Sequence, residues 1–407
     1  MSAVDLAASF DMLDDPPAAF IDEMRRRYPT ERETDELLTR KLERRGGPAY
    51  VPVTLEELSD GLQRMLSEEL DGAFEISNAR WFSGGASKIQ MGFDLRWEDP
   101  ERGHVTDRLM LRMDPAESHN ATSKLREFEL LRAFEGVLPV PRAYWVDTEA
   151  RFFPEPVLIY AFVDGVTKPS KTLSGEVSGL GTNFGPDLRR TLAPQYLEHL
   201  AAIHTFDYTR ATFTTLDVPE AGTPQGALWQ LNRARRLWEE DRGEDLPLME
   251  VAANWLERNI PDVDHVSLVH GDYRSGNFLF EEETGRVTAW LDWERGHLGD
   301  RHRDLAWITQ PVCGHYAEDG TTYLVCGLVP LDDFYSEYER VSGLSVDPER
   351  LTWYRILNAY SMIVSTFGTA YRVVRLGKTH QDVLLDRVGG MAPVMAAELS
   401  ALLEEVL

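Results

Sequence analysis

The chain has 407 residues, 43% hydrophobic and 27% charged, an ordinary composition for a globular protein of one large domain or two lobes. Its 42 basic and 68 acidic side chains leave a formal charge of −26; such a surface repels nucleic acid and anionic membranes and attracts cations, and no basic cluster of the kind nucleic-acid binding needs is present. No apolar run approaches the ~20 residues a bilayer requires, the opening MSAVDLAASFDMLDDPP does not read as a secretory signal, and two cysteines, Cys313 and Cys326, make neither a disulfide framework nor a paired-cysteine metal site. A cytoplasmic setting is expected.

Residues 1–50 read as a charged extension with helical patterning over Ala18–Tyr28 and Glu31–Arg45, ended by Gly46-Gly47-Pro48. The extension packs on the core or mediates a homodimer. A further helix opens at Thr54, where Thr54 and Glu57 have capping-box spacing, and Leu55, Leu58, Leu62 and Leu66 mark one face. The period then changes to two. Residues 79–97 read as strand, glycine turn and strand, Val105–Met113 as a third strand, Thr122–Phe134 as a helix, and Ala143–Val146 and Val157–Val163 as extended segments. Val166–Asp187 is rich in Gly, Ser and Thr, which suggests a mobile or substrate-facing loop. After Pro194 helices are predicted over Gln195–Phe206, Leu228–Glu240 and Leu248–Asn259. They resume, after a β section at 267–293, over Asp304–Ile308, 331–342, 348–376 and 380–406. The expected organisation is a helical N-terminal extension (1–75), a small antiparallel lobe (76–165) and a larger, mainly helical lobe (166–407).

The chemistry is concentrated in Leu268-Val269-His270-Gly271-Asp272-Tyr273-Arg274-Ser275-Gly276-Asn277-Phe278, an apolar strand that enters and leaves a tight polar loop. Val287–Leu291 then leads to Asp292-Trp293-Glu294. Phosphoryl transfer needs one carboxylate to orient a hydroxyl and take its proton, and hard oxygen ligands for Mg²⁺. Asp272 suits the first role; Asn277 and Asp292 suit the second. His270, Asp300 and Asp304 are read as braces of loop backbone, and His204 as a satisfied core histidine.

This stretch resembles the catalytic loop of the aminoglycoside phosphotransferase and choline kinase-like family, His-Gly-Asp followed four residues later by Asn. Asp292-Trp293-Glu294 resembles its metal-binding segment, Gly299-Asp300 with Asp304-Leu305-Ala306 its Gly-Asp-Pro…Asp-Leu-Ala segment (Arg301 replaces the proline), and Leu200–His204 its Leu-Ala-x-Leu-His helix. Ordered matches run from about residue 79 to 307. The resemblance implies an α+β, protein-kinase-like bilobal fold that uses ATP and Mg²⁺ and phosphorylates a small-molecule hydroxyl substrate. It places Ser83, Gly84, Gly85 and Ser87, with Lys88 as a further donor, over the phosphates. The loop is not a Walker motif. Arg112 stands where a phosphate-binding lysine is expected, with Glu127 as its helix partner and Glu129 the alternative. Ala161 and Val163 fall at the adenine hinge, with Tyr160 behind. Arg112 and the Asp-Trp-Glu form are closest to the branch associated with acyl-CoA dehydrogenases, whose members act on hydroxyacyl-CoA. A nucleotide-binding pseudokinase is the alternative, while a protein kinase lacks support because no activation segment fits between Asp292 and Asp304. Trp229, Arg233, Arg236, Trp307, Tyr354 and Tyr360 are candidates for the acceptor pocket or for core packing.

Overall fold

The structure, a computed structural model, describes residues 12–82, 88–115, 117, 120–170 and 180–407. Helices α1 (Ala18–Arg27), α2 (Arg32–Glu43) and α3 (Leu55–Glu69) precede the first strand. The capping box of α3 is formed: Thr54 Oγ1 accepts from Glu57 N at 3.2 Å and Glu57 Oε2 from Thr54 N at 2.7 Å. Five antiparallel strands follow, β1 (Glu75–Trp81), β2 (Ile89–Asp99), β3 (Gly103–Met113), β4 (Ala143–Asp147) and β5 (Val157–Ala161), in the order β1-β2-β3-β5-β4. Between β3 and β4 lies α4 (Lys124–Phe134), two residues shorter than expected because Ser123 caps it at Arg126 N, 3.2 Å.

Alternation along β3 decides what each face does. Leu109, Leu111 and Met113 pack with Leu58, Leu62, Met65 and Leu66 of α3, with Met91, Phe93 and Leu95 of β2, and with Ile159 of β5. Arg112 therefore points to the opposite face, toward α4.

The larger lobe opens with α5 (Gly185–His204), which runs through Pro194. The expected start at Gln195 is thus ten residues late; proline removes one N–H bond of the ladder, yet buried Leu192, Tyr196, Leu197 and Leu200 keep the helix seated on the core. Helices α6 (Gln225–Asp241) and α7 (Pro247–Arg258) lead to β6 (Ser267–Val269), β7 (Phe278–Glu281), β8 (Arg286–Trp290) and β9 (His297–Gly299). The strands on either side of the polar loop do not pair with each other: β6 pairs with β9 and β7 with β8. Then come α8 (His302–Ile308), a small three-stranded sheet over residues 315–330, α9 (Leu331–Ser342) and α10 (Pro348–Ile363). The single helix expected over 348–376 widens into π-helix at Val364–Ala370 before α11 (Tyr371–Arg375), and the one expected over 380–406 is two, α12 (Asp382–Gly389) and α13 (Ala392–Glu404).

Residues 12–50 pack on the core. Arg45 is fully buried, its Nη2 2.6 Å from Asp241 Oδ1 on α6. The same carboxylate takes Lys41 Nζ at 2.7 Å and Arg372 Nε at 2.8 Å. Glu31 pairs with Arg126 of α4 at 2.5 Å. The segment therefore ties the small lobe to the large one. Arg236 belongs to this junction, not to a pocket: it pairs with Glu240 and Asp35 at 2.7 and 2.6 Å. Tyr354 and Tyr360 are likewise core, 1% exposed beside Trp353 and Leu357.

Candidate active site

The polar loop between β6 and β7 is fixed from below by Asp304, in the first turn of α8. Its carboxylate accepts His270 N and Gly271 N, both at 2.8 Å, and faces His204 Nε2 at 3.3 Å. Burial alone would raise the Asp304 pKa; hydrogen bonds from His204 and the His270 backbone pull it below the usual carboxylate value. Burial pushes His204 and His270 down, so both are neutral. His270 Nε2 lies 3.1 Å from the Leu291 carbonyl, and its Nδ1 accepts Asp272 N at 3.3 Å. The Nε2–H tautomer satisfies both contacts, which makes His270 a clasp between the loop and the Asp292 segment. Gly271 sits at φ +81°, and a Cβ there would lie 2.7 Å from the Arg295 carbonyl oxygen, so glycine is required. Asp300 binds inward, to His302 N and Nδ1. Arg301, where the resembling motif has proline, is buried and reaches Asp264 at 3.0 Å and the Ser345 carbonyl at 2.6 Å.

Three donors orient the Asp272 carboxylate. Trp307 Nε1 at 2.9 Å and Arg274 Nε at 3.2 Å reach Oδ1, and Asn277 Nδ2 at 2.7 Å reaches Oδ2. Asn277 Nδ2 also donates to the Asp272 carbonyl at 2.8 Å, which turns its carboxamide oxygen away from Asp272. Leu291 N donates to the Asn277 carbonyl at 2.8 Å, so Asn277 and Asp292 are held by one backbone bond between their strands. Asp292 itself is left-handed, φ 66° and ψ 47°, a strained geometry for a non-glycine residue and one that clusters at functional sites.

Arg112 links this loop to the small lobe. Its Nη1 pairs with Glu127 Oε1 at 2.6 Å; its Nη2 pairs with Glu294 Oε2 at 2.9 Å and with Asp292 Oδ1. Burial lowers the Arg112 pKa, but these three carboxylates outweigh it and hold the guanidinium well above its ordinary value. Glu129, the alternative partner, binds the Thr214 and Thr215 amides instead, at 2.9 and 3.2 Å. Lys88 is buried rather than presented to a phosphate. It meets Asp114 at 2.7 Å, Thr122 at 2.9 Å and Glu294 at 3.2 Å, and Asp114 and Glu294 raise its pKa against burial. Ser83, Gly84, Gly85 and Ser87 lie outside the described residues. At the hinge, Ala161 N–H donates to the Arg142 carbonyl at 2.8 Å, so a nucleotide contact at Ala161 falls to its carbonyl. Val163 follows Phe162, whose ring packs on Phe82 at 5.3 Å. Tyr160, raised to about 12 by burial, lies in the field of Arg112, Glu127 and Asp292.

Glu294 and Arg274 were not assigned to this site from sequence, and Trp307 was a candidate only for the acceptor pocket or core packing, not for the bond its indole N–H makes to Asp272. Glu294 is the only one of them with a local signal, as the second carboxylate of Asp-Trp-Glu; the other two arrive through loop curvature and the packing of α8. A cavity of about 600 Å³ lies elsewhere, between α2, the 47–53 segment and Lys378, away from Asp272. Among the described residues no cluster of three or more His, Cys, Asp or Glu side chains forms a metal site, and no helix is long and apolar enough to cross a membrane.

Three comparisons bear on this arrangement. A solved structure of a proposed aminoglycoside phosphotransferase from Ralstonia eutropha superposes with a TM-score of 0.61 at 22% identity, covering 85% of this chain and 98% of that one. An ethanolamine kinase from Plasmodium vivax gives 0.51 at 13% identity, covering 91% and 99%. The fold is therefore kinase-like, an antiparallel lobe joined to a helical one. Among curated proteins, acyl-CoA dehydrogenase family member 11 from Gallus gallus is 30% identical over 175 residues, 41% of this chain and 22% of that protein. Its Pongo abelii counterpart is 24% identical over 273 residues, 64% and 33%. The chain thus spans a fifth to a third of these relatives' length. Residues 96–322, more than half of the chain, match the sequence model of the phosphotransferase enzyme family, and the chain belongs to that family.

Proposed function

We propose that the chain is an ATP- and Mg²⁺-dependent small-molecule kinase that transfers the γ-phosphate to a substrate hydroxyl. The observation that carries this reading is the convergence on one loop pair of an oriented carboxylate, Asp272, with two oxygen-bearing side chains, Asn277 and Asp292, joined through Arg112 to Glu127. Asp272 would accept the hydroxyl proton as the new P–O bond forms and the bond to the β-phosphate breaks, with ADP leaving. Trp307, Arg274 and Asn277 hold its two oxygens in place for that transfer. Asn277 and Asp292 fit Mg²⁺, because they offer a carboxamide oxygen and a carboxylate, the hard donors this ion prefers. Asp292 is also 29% exposed where Glu127 and Glu294 are nearly closed. When bound with the nucleotide, Mg²⁺ supplies neutralisation of the phosphate charge. Nucleotide contacts are assigned to Arg112, the Ala161 carbonyl and Val163, and to the 83–87 loop.

The relatives' names favour a hydroxyacyl-CoA or related metabolite over an aminoglycoside as acceptor, and a cytoplasmic setting accords with two buried free thiols. A pseudokinase is disfavoured, since all three site oxygens are retained. The test is ADP release over a panel of aminoglycosides, amino alcohols and hydroxyacyl-CoAs. Asp272→Asn is expected to lower transfer roughly 10²–10⁴-fold while nucleotide affinity stays nearly constant. Undiminished transfer would remove Asp272 from the role assigned here.

A further inference from the structure

Although the chain is strongly acidic overall, three arginines meet beside the catalytic loop around one small cavity whose walls hold no carboxylate. Arg233 comes from α6, Arg295 from the turn after Glu294, and Arg303 from the first turn of α8. All three line one cavity of about 30 Å³ with Gln230, Ser361 and Thr369, whereas a second of similar size, bordered by Arg233 and Arg295 without Arg303, is also walled by Glu31 and Glu294, so the first is the one that suits an anion. Such a volume suits a carboxylate or the oxygens of one phosphate, and not a nucleotide. Among the described residues none of the three arginines forms an ion pair. Arg303 is only 5% exposed and its Nη1 has no hydrogen-bond partner. The acidic groups that act on Arg233 and Arg303 are already taken: Glu31 by Arg126 at 2.5 Å, Glu294 by Arg112 at 2.9 Å and Lys88 at 3.2 Å, and Asp304 by the His270 and Gly271 amides at 2.8 Å. Burial, then repulsion from Arg295 and from each other or Arg126, pushes Arg303 down to about 9 and Arg233 to about 10. Guanidinium groups hold their protons tenaciously, and a buried cation without a counter-ion is costly. An anion resolves both problems.

The cluster is one side chain from the chemistry. The Arg295 guanidinium lies 5.9 Å from the Trp307 ring, and Trp307 Nε1 is 2.9 Å from Asp272 Oδ1. The Arg295 backbone also abuts Gly271.

We propose that Arg233, Arg295 and Arg303 form an anion site that reads a carboxylate or phosphate on the phosphoryl acceptor, so that the substrate is a hydroxyl compound carrying a negative group. The identity of the acceptor rests on Asp272 being the transfer site; the anion site itself does not.

Two measurements on the full chain test it. In the first, thermal denaturation is followed at constant ionic strength with inorganic phosphate, acetate or chloride. Phosphate or acetate is expected to raise the Tm above chloride, and the one that does so identifies the group. Arg303→Gln is expected to raise the anion-free Tm, because it removes an unpaired buried charge, and to abolish the anion-dependent rise. A shift that chloride reproduces, or that persists in Arg303→Gln, overturns the site. In the second, neutral alcohols are paired with hydroxy acids, phosphorylated alcohols and hydroxyacyl-CoAs. Arg303→Gln is expected to cut kcat/KM for the anionic member roughly 10- to 100-fold, the loss of one charge-assisted contact, with the KM for ATP unmoved. A rise in the ATP KM alone would assign the arginines to the nucleotide and overturn the proposal. Asp272→Asn separates the failures. If it abolishes turnover while no anion stabilises the chain, only the anion site falls; if anions stabilise but Asp272→Asn leaves transfer intact, only the kinase reading falls.

Discussion

Arg112 shows what a single side chain contributes at the junction of the lobes. Its planar fork contacts Glu127, Glu294 and Asp292 at once, and lysine, a single point charge on a flexible stem, cannot span three carboxylates. Arg112→Lys should therefore keep the charge and lose the geometry. We expect a loss of stability of about 1–3 kcal/mol, from buried carboxylates left short of a donor. The apparent KM for Mg·ATP should rise about tenfold, the equivalent of one such contact. Denaturant midpoints and ATP titrations report the two effects, and an unchanged KM would show that Arg112 braces the lobe without touching the nucleotide. The Arg112–Glu127 pair was expected through the family resemblance, which pairs a cation on the third strand with a glutamate on the following helix, and the structure forms it. The contributions of Glu294 and Lys88 were not expected. They meet Arg112 and Asp114 only after two separate loops fold against each other, and no spacing in the chain encodes that.

Among the elements, the catalytic loop is rigid because one helix terminus and one glycine define it. Gly271 provides a sharp test. Alanine there would combine a left-handed backbone with a Cβ 2.7 Å from the Arg295 carbonyl, whereas at Gly320, φ +71°, a Cβ meets nothing within 4 Å. Gly320→Ala is thus expected to cost only the backbone term, about 1–2 kcal/mol. Gly271→Ala should cost more, about 3 kcal/mol or above, and should lower kcat along with stability because Asp272 follows immediately. Parallel Tm and kcat measurements on the two variants decide the matter; equal losses at both sites would mean that the Arg295 contact relaxes. The loop could be recognised from its residues, and so could the return of its leaving strand through the 282–285 turn, yet the partner of its entering strand could not. Ser267–Val269 is three buried residues long, too short for alternation to set a register, so nothing local says that it pairs with His297–Gly299 rather than with Phe278–Glu281. The π-helical widening at Val364–Ala370 is equally silent in sequence, since the apolar spacing there also suits an α-helix.

Over the whole molecule, stability should respond to acid in two separable stages. Burial depresses His297 to about 3 and His199 to about 4, and His199 Nδ1 accepts the Trp290 indole N–H at 2.9 Å. Both are neutral in the fold but take up protons near pH 6.5 when unfolded. Their contribution is thus complete above pH 6.5 and declines as pH falls toward the folded values. For a buried histidine the slope is about 1.4 kcal/mol per pH unit. Asp241 behaves differently. Burial raises its pKa, but Arg372, Lys41 and Arg45 outweigh it and hold the carboxylate well below its ordinary value, so its contribution is present above pH 4 and lost only below. The Tm should accordingly fall between pH 7 and 5. His297→Asn, which can keep the donor to the Arg295 carbonyl, should flatten that fall. Asp241→Asn should lower stability throughout this window by about 3–5 kcal/mol, and the Tm with it, without changing the slope, because three buried cations on the 12–50 segment and α11 lose their shared anion. An Asp241→Asn variant that instead steepened the slope between pH 7 and 5 would show that the lobe junction, and not the histidines, is what acid opens first.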